Sequence, residues 1–328
     1  MSQPITALPA NTQPATSPNG GMPVLRLQRV TRRYGARVAL LDASVELRPG
    51  LVGLLGPNGA GKTTFLHLAA GLTEPSSGHI SWLDDRPRRH AKLDNRIAFV
   101  PDGDDLPRRD TALDFVAMLL QSAGLSRAQA LARGASTLER LGLQAKLHEP
   151  LQGLSRGQRQ RVKLAQAFAL PVDLILLDEP LNALDPIWRL EVAALMREAV
   201  QSGACVVLSS HILEEVEALA DWLVLLFRGR VVAAGTRKQI QELLSHRATA
   251  VRIQCDDPRR LGQALLGVAP VTLLRVEGQE LSVQAENLAV LQRSLAQAVL
   301  SSGVRVQSVR TAGDDLVGLF QALSQEVR

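Results

Sequence analysis

A chain of 328 residues with 46% hydrophobic and 21% charged residues is long enough for about two domains, each able to bury a core. Its two cysteines, Cys205 and Cys255, exclude a disulfide scaffold and read as small buried hydrophobes, and no apolar run approaches the ~18–20 residues of a bilayer-spanning helix. The formal net charge of +5 permits a nucleic acid or anionic membrane partner without requiring one.

Met1 to about Met22 is rich in Pro, Thr, Ser, Asn and Gly and carries no charged side chain. It lacks the basic stretch and apolar block of a signal peptide, so a disordered tail is expected. From Val24 the pattern alternates: Val24, Leu25 and Leu27, then Val38 to Leu41, then Val45 and Leu47. Short strands of a mostly antiparallel layer are predicted. Tyr34, the only tyrosine, lies between them and by itself reads as a half-buried loop aromatic.

Gly50 to Leu55 is an apolar run suited to a buried strand, and Phe65 to Ala70 have helix-forming composition. Between them stands Gly56-Pro57-Asn58-Gly59-Ala60-Gly61-Lys62-Thr63-Thr64. Strand, glycine-rich turn and helix are the context of the phosphate-binding loop G-x-x-x-x-G-K-[ST]. Glycines let successive backbone N–H groups point into one concavity, where the helix N-terminus adds its positive end. Lys62 would reach the β- and γ-phosphates of a nucleoside triphosphate, and the Thr63 hydroxyl would hold Mg²⁺.

Between about Asp104 and Leu170 the reading is helical. Ala112, Leu113, Phe115, Val116, Met118, Leu119 and Leu120 have the spacing of one helix face, and Leu131, Leu138 and Leu141 mark a second buried stripe. Ser155 is a candidate N-cap for the helix carrying Val162, Leu164, Ala165 and Phe168. Asp173 to Pro180 reads as a buried strand ending in two carboxylates, Asp178 and Glu179. In open α/β sheets ligands bind at that edge. Asp178 would bear on Mg²⁺, and Glu179 would orient or deprotonate an attacking water; alternatively the two acids cap the next helix. Ala204 to Ser209 is another buried strand, and His211 just beyond it is a candidate γ-phosphate sensor. Val231 to Gly235 closes the first domain.

After about Gln239 no glycine-rich loop recurs. Strands are predicted at Ala248–Cys255 and Val304–Val309, helices at Pro258–Leu266, Asn287–Leu300 and Asp314–Gln325, and a hairpin around Gly278 from Val271–Val276 and Leu281–Gln284. The order β-α-β-β-α-β is that of a ferredoxin-like split arrangement.

Taken together, Val24 to Gly235 resembles an ATP-binding cassette (ABC) ATPase, the nucleotide-binding subunit of a transporter. Gly56 to Thr64 match its Walker A loop, Leu174 to Asp178 its Walker B strand, and Glu179 its catalytic carboxylate. Leu154-Ser155-Arg156-Gly157-Gln158 match the signature L-S-G-G-Q, with Arg156 in place of the first glycine of the pair. Asp185 falls in the loop after Walker B, His211 at the switch histidine, and Tyr34 where the family stacks an aromatic on adenine. Asp102 stands where the family places a glutamine that helps hold Mg²⁺, so it becomes a metal candidate beside Thr63 and Asp178; it also sits in an acidic turn, Asp102-Gly103-Asp104-Asp105, that it could merely cap. The resemblance implies an α/β P-loop cassette with an antiparallel layer, a parallel-sheet core and a helical subdomain at about 104–170. The implied domains are a tail at 1–22, a cassette at 23–240 and a small α+β domain at 241–328. It further implies ATP and Mg²⁺ as ligands and ATP hydrolysis coupled to transport. Ser155 to Gln158 would complete the site of a second cassette, identical or not. A separate transmembrane permease would hold the chain at the cytoplasmic face of the plasma membrane, with no nucleic acid partner. An exporter subunit is expected, because Asp314 to Phe320 resembles the closing helix of drug, polysaccharide and lipid exporters. An importer subunit and a soluble ABC ATPase acting on ribosomes or DNA are the alternatives.

Overall fold

The computed structural model describes residues 15–16, 22–82, 86–87, 96–240, 249–285 and 288–311. Most of the expected tail and the expected helix at Asp314–Gln325 lie outside them. The chain divides into two compact units, one ending at Arg237 and the other beginning at Lys238.

The first unit opens with a long hairpin, β1 (Leu25–Tyr34) and β2 (Arg37–Leu47), paired antiparallel with several bulges. β3 (Gly50–Leu55) follows, then α1 (Lys62–Ala69) and β4 (Ser77–Trp82), which pairs with β1. The core sheet is completed by β5 (Ile97–Val100), β6 (Leu174–Leu177), β7 (Cys205–Ser210), β8 (Trp222–Phe227) and β9 (Arg230–Thr236). Its strand order is β9-β8-β3-β7-β6-β5, parallel throughout except at β9. Every residue of β3, β6 and β7 is buried, as uninterrupted apolar strands covered on both faces require. Because β3, β6 and β7 run the same way, their C-terminal ends share one edge.

Between β5 and β6 lie α2 (Ala112–Ser122), α3 (Arg127–Arg140) and α4 (Arg156–Phe168). Thr111, Ser126 and Ser155 cap them through side-chain oxygens, the latter two with reciprocal glutamines at Gln129 and Gln158. The expected apolar faces need correction. α2 buries Ala112, Val116, Ala117 and Leu120, while Met118 is 46% exposed, and Leu131 of α3 is only half-buried beside buried Leu138 and Leu141. The burial stripe is narrower than the apolar composition. After β6 come α5 (Pro186–Gln201) and α6 (Leu213–Glu217).

The second unit contains β10 (Thr249–Cys255), α7 (Pro258–Leu266), β11 (Val271–Glu277), β12 (Glu280–Ala285), α8 (Leu288–Ser302) and β13 (Val306–Thr311). Its sheet runs β11-β12-β10-β13, all antiparallel, over a separate core that includes Ile253, Leu261, Leu281 and Ala298.

Gly53 in β3 shows how tightly the central strand is covered. A Cβ there would lie 2.0 Å from Val216 Cγ1 of α6 and 3.0 Å from Leu223 Cδ2. Gly53→Ala is therefore expected to cost about 1–3 kcal/mol through overpacking, read as a lower urea midpoint; an unchanged midpoint would show that α6 moves aside freely.

Candidate functional site

β3 ends in the turn Gly56 to Gly61, which delivers the chain into α1. Gly61 has φ 108°, and a Cβ on it would stand 2.6 Å from the Ala39 carbonyl oxygen of β2. Glycine is thus required both by conformation and by the close approach of β2. Gly61 caps α1 without a side-chain hydrogen bond, leaving the first N–H groups of the helix free for an anion. Lys62 is 7% exposed, and its ammonium donates to the Gly56 carbonyl at 2.7 Å and lies 3.3 Å from Glu179 Oε1.

The end of β6 supplies the carboxylates. Asp178 is 3% exposed and both of its oxygens are engaged: Oδ1 accepts from the Ser209 hydroxyl at 2.6 Å and Oδ2 from the Thr63 hydroxyl at 2.8 Å. Glu179 adopts a left-handed backbone, φ 47°, a strained conformation costing about 1–2 kcal/mol. It is held there by its own N–H, which donates to Ser209 Oγ at 2.9 Å. Its carboxylate lies between Lys62 and His211, whose Nδ1 is 3.1 Å from Oε2.

Lys62, Thr63, Asp178 and Glu179 border an open cleft of about 370 Å³, whereas His211 and Ser209 are not among its lining residues. Tyr34, Pro57, Asn58, Gly59, Gly61, Lys62, Thr63, Thr64, Asp102, Asp178 and Glu179 line it, together with Arg37 and Ala39. Gly56 and Ala60 form the buried floor of the turn. Tyr34 ends β1 and is 45% exposed, and the Arg32 guanidinium covers its ring at 4.6 Å. Ser155, Arg156, Gly157, Gln158 and Asp185 are not part of this lining. They cluster elsewhere: a Cβ on Gly157 would meet the Ala183 carbonyl oxygen at 2.6 Å, two residues before Asp185. Cys205 takes no part, since complete burial pushes its thiol up to about 12.

Two residues of the site, one lining the cleft and one buried behind it, are not marked by the sequence pattern. Arg37 follows Tyr34 by three residues across the β1–β2 turn, and its Nη2 lies 3.9 Å from the Cβ position of Gly59. Ser209 is fully buried and bridges Asp178 to the Glu179 backbone. The available signals were a cation on the same turn as the candidate adenine platform and a serine ending an otherwise apolar strand.

A triphosphate-sized anion could take the N–H groups of the loop and the Lys62 ammonium, with carboxylates beyond its far end. That is the arrangement of a P-loop ATPase. The family model described as ABC transporter matches residues 40–182. The lipopolysaccharide export system ATP-binding protein LptB of Acidithiobacillus ferridurans is 34% identical over 66% of this chain and 92% of its own. A Nod factor export ATP-binding protein I of Ralstonia nicotianae is 31% identical over 84% of each chain. Import ATP-binding proteins are similar as well, over 69% and 61% of their lengths. A solved ATP-binding subunit of an ABC transporter superposes with TM-score 0.63 at 30% identity, covering 67% of this chain and 93% of that one. The chain belongs to the ATP-binding subunits of ABC transporters. It is an ATPase of that class, and such subunits dimerise and work with membrane proteins. No helix among the described residues is long and apolar enough to cross a membrane.

Ser209 offers a direct check on the acidic centre. Ser209→Ala strands a buried carboxylate oxygen and the Glu179 N–H, at a cost of about 1–3 kcal/mol. A lower thermal midpoint and slower ATP turnover are expected, and Ser209→Thr, which keeps the hydroxyl, should retain both; wild-type values for the alanine variant would remove Ser209 from the site.

Proposed function

We propose that this chain powers a bacterial exporter from the cytoplasmic face of the membrane, where it docks peripherally on a separate permease and closes head to tail with a second cassette around two ATP molecules. The absence of Ser155 to Gln158 from the cleft lining supports the split site. Those residues begin α4 with exposed Ser155 and Arg156, so their donors are available to another molecule's γ-phosphate. The observation that favours export is coverage: the Nod factor exporter matches 84% of both chains, whereas the iron importer match spans 69% of the importer. The unit from Lys238 onward carries no phosphate loop and is proposed as a separable accessory domain.

In the proposed reaction Tyr34 stacks on adenine with the face that Arg32 leaves open. The loop N–H groups and Lys62 hold the β- and γ-phosphates, and Arg37 adds a second cation beside Gly59. Glu179 accepts a proton from water as the water oxygen bonds to the γ-phosphorus. The bond from that phosphorus to the bridging oxygen breaks, and ADP and phosphate leave. His211 holds the Glu179 carboxylate in place and senses the γ-phosphate. The Thr63 hydroxyl and Asp178 carboxylate, 2.8 Å apart, are hard oxygen donors of the kind Mg²⁺ takes alongside phosphate oxygens, and Asp102 lines the same cleft as a third. Mg²⁺ bound there would neutralise phosphate charge.

Glu179→Gln keeps shape and hydrogen bonding but removes the base. Hydrolysis should fall by about 10²–10⁴-fold while ATP still binds, and light scattering should show a dimer that accumulates in Mg-ATP. Near-normal turnover would rule out Glu179 as the base. For Arg37→Ala, calorimetry should record an ATP affinity about tenfold weaker, the loss of one charge-assisted contact, with AMP binding little changed. Equal losses for AMP and ATP would move Arg37 away from the terminal phosphates.

A further inference from the structure

One face of α4 is bonded at three successive helical turns to the end of β5 and to the loop after it, which carries Asp102. Arg159 closes on the Asp104 carboxylate, its Nε at 2.9 and 3.0 Å and its Nη2 at 2.5 Å. One turn on, the Lys163 ammonium donates to the carbonyls of Pro101 at 2.8 Å, Gly103 at 2.7 Å and Asp102 at 3.4 Å. An ammonium has three donors, and all three are used. Gln166 then donates to the Phe99 carbonyl at 3.3 Å. Positions i, i+4 and i+7 of the helix thus read the chain from residue 104 back to 99. On a neighbouring face Gln160 donates to the Pro180 carbonyl at 3.0 Å, just after Glu179. α4 therefore touches both loops that bring carboxylates to the cleft, and its own first turn is the Ser155 to Gln158 segment.

We propose that Arg159 and Lys163 are positioning residues: they fix the loop of Asp102 to α4, so that the state of one ATP site is passed to the segment addressing the other. This rests on the split-site reading given above. Lys163 is 5% exposed, whereas Pro101, Asp102 and Gly103 are exposed, so water can satisfy those carbonyls when the lysine is removed. The loop then loses its position more than the fold loses its stability. The ion pair is firm at the other end: its hydrogen bonds hold the Asp104 carboxyl below the usual range and raise Arg159.

The test uses the full chain and follows ATP binding, steady-state hydrolysis and the Hill coefficient for ATP. In Lys163→Ala, kcat should fall roughly tenfold or more, as expected when a catalytic loop shifts by about 1 Å. KM should stay within about twofold and the Hill coefficient should drop toward one. n-Propylammonium should restore part of the turnover, and tetramethylammonium, which has no N–H, should not. Asp104→Asn and Arg159→Gln lie at the surface and decide the matter if the lysine variant does not fold: the double variant should lose no more than the worse single one. Unchanged kcat, losses that simply add, or equal rescue by both ammonium ions would overturn the clamp. A Glu179→Gln variant that stays monomeric in Mg-ATP would instead overturn the split-site reading on which it rests.

Discussion

A buried carboxylate at the end of a parallel strand is costly unless donors meet it, and this constraint organises the cassette. Asp178 is nearly inaccessible, and its two oxygens take one hydroxyl from β7 and one from α1. Three chain segments remote in sequence must therefore converge, which they do because β3, β6 and β7 are parallel neighbours ending at one edge. The phosphate loop follows from the same convergence, since Thr63 lies one residue beyond the lysine of that loop. Glu179 is next in sequence but placed differently: its left-handed backbone turns it toward Lys62 and His211. One serine satisfies the first acid and anchors the second.

How much of this could be read beforehand depends on the range of the interaction. The phosphate loop is legible because its chemistry is contiguous: glycines, lysine and threonine need only each other and a helix. Asp178 and Glu179 are legible as an acidic strand end. Ser209 is not, because its role exists only through a partner 31 residues away. Lys163 meets the loop at Pro101 across 62 residues and reads in sequence as one more cation on a helix. The sequence pattern marks neither α5, although Pro186 opens it, nor β4, whose membership of the antiparallel layer depends on pairing with β1. Met118 shows the opposite failure, an apolar residue with helical spacing whose flank happens to face outward.

The second unit illustrates a further limit. Alternation and helical spacing locate its described strands and helices to within a few residues, and their β-α-β-β-α-β order is the expected one, but the strand order β11-β12-β10-β13 is set by pairing and not by local pattern. It places β10, first in sequence, between β12, the second strand of the hairpin, and β13, the last strand.

Asp102 adds charge where two acids already stand, and the structure shows what offsets it. The cleft is lined by three carboxylates, Asp102, Asp178 and Glu179, against two cations, Lys62 and Arg37, a formal sum of −3 + 2 = −1. Lys163 lies just behind the loop rather than in the cleft. Burial, helped by the nearby charge of Arg156, lowers its pKa on balance, and the charges of Asp102, Asp104 and Asp178 oppose that fall. The carboxylates that the lysine helps to accommodate favour its charged form. Lys163 bonds the loop backbone and is not among the residues lining the cleft, so its charge offsets that of Asp102 without occupying the ligand space. A glutamine in this position would need no such counter-charge. Aspartate at 102 and lysine at 163 therefore meet through the loop backbone, where the lysine takes three successive carbonyls.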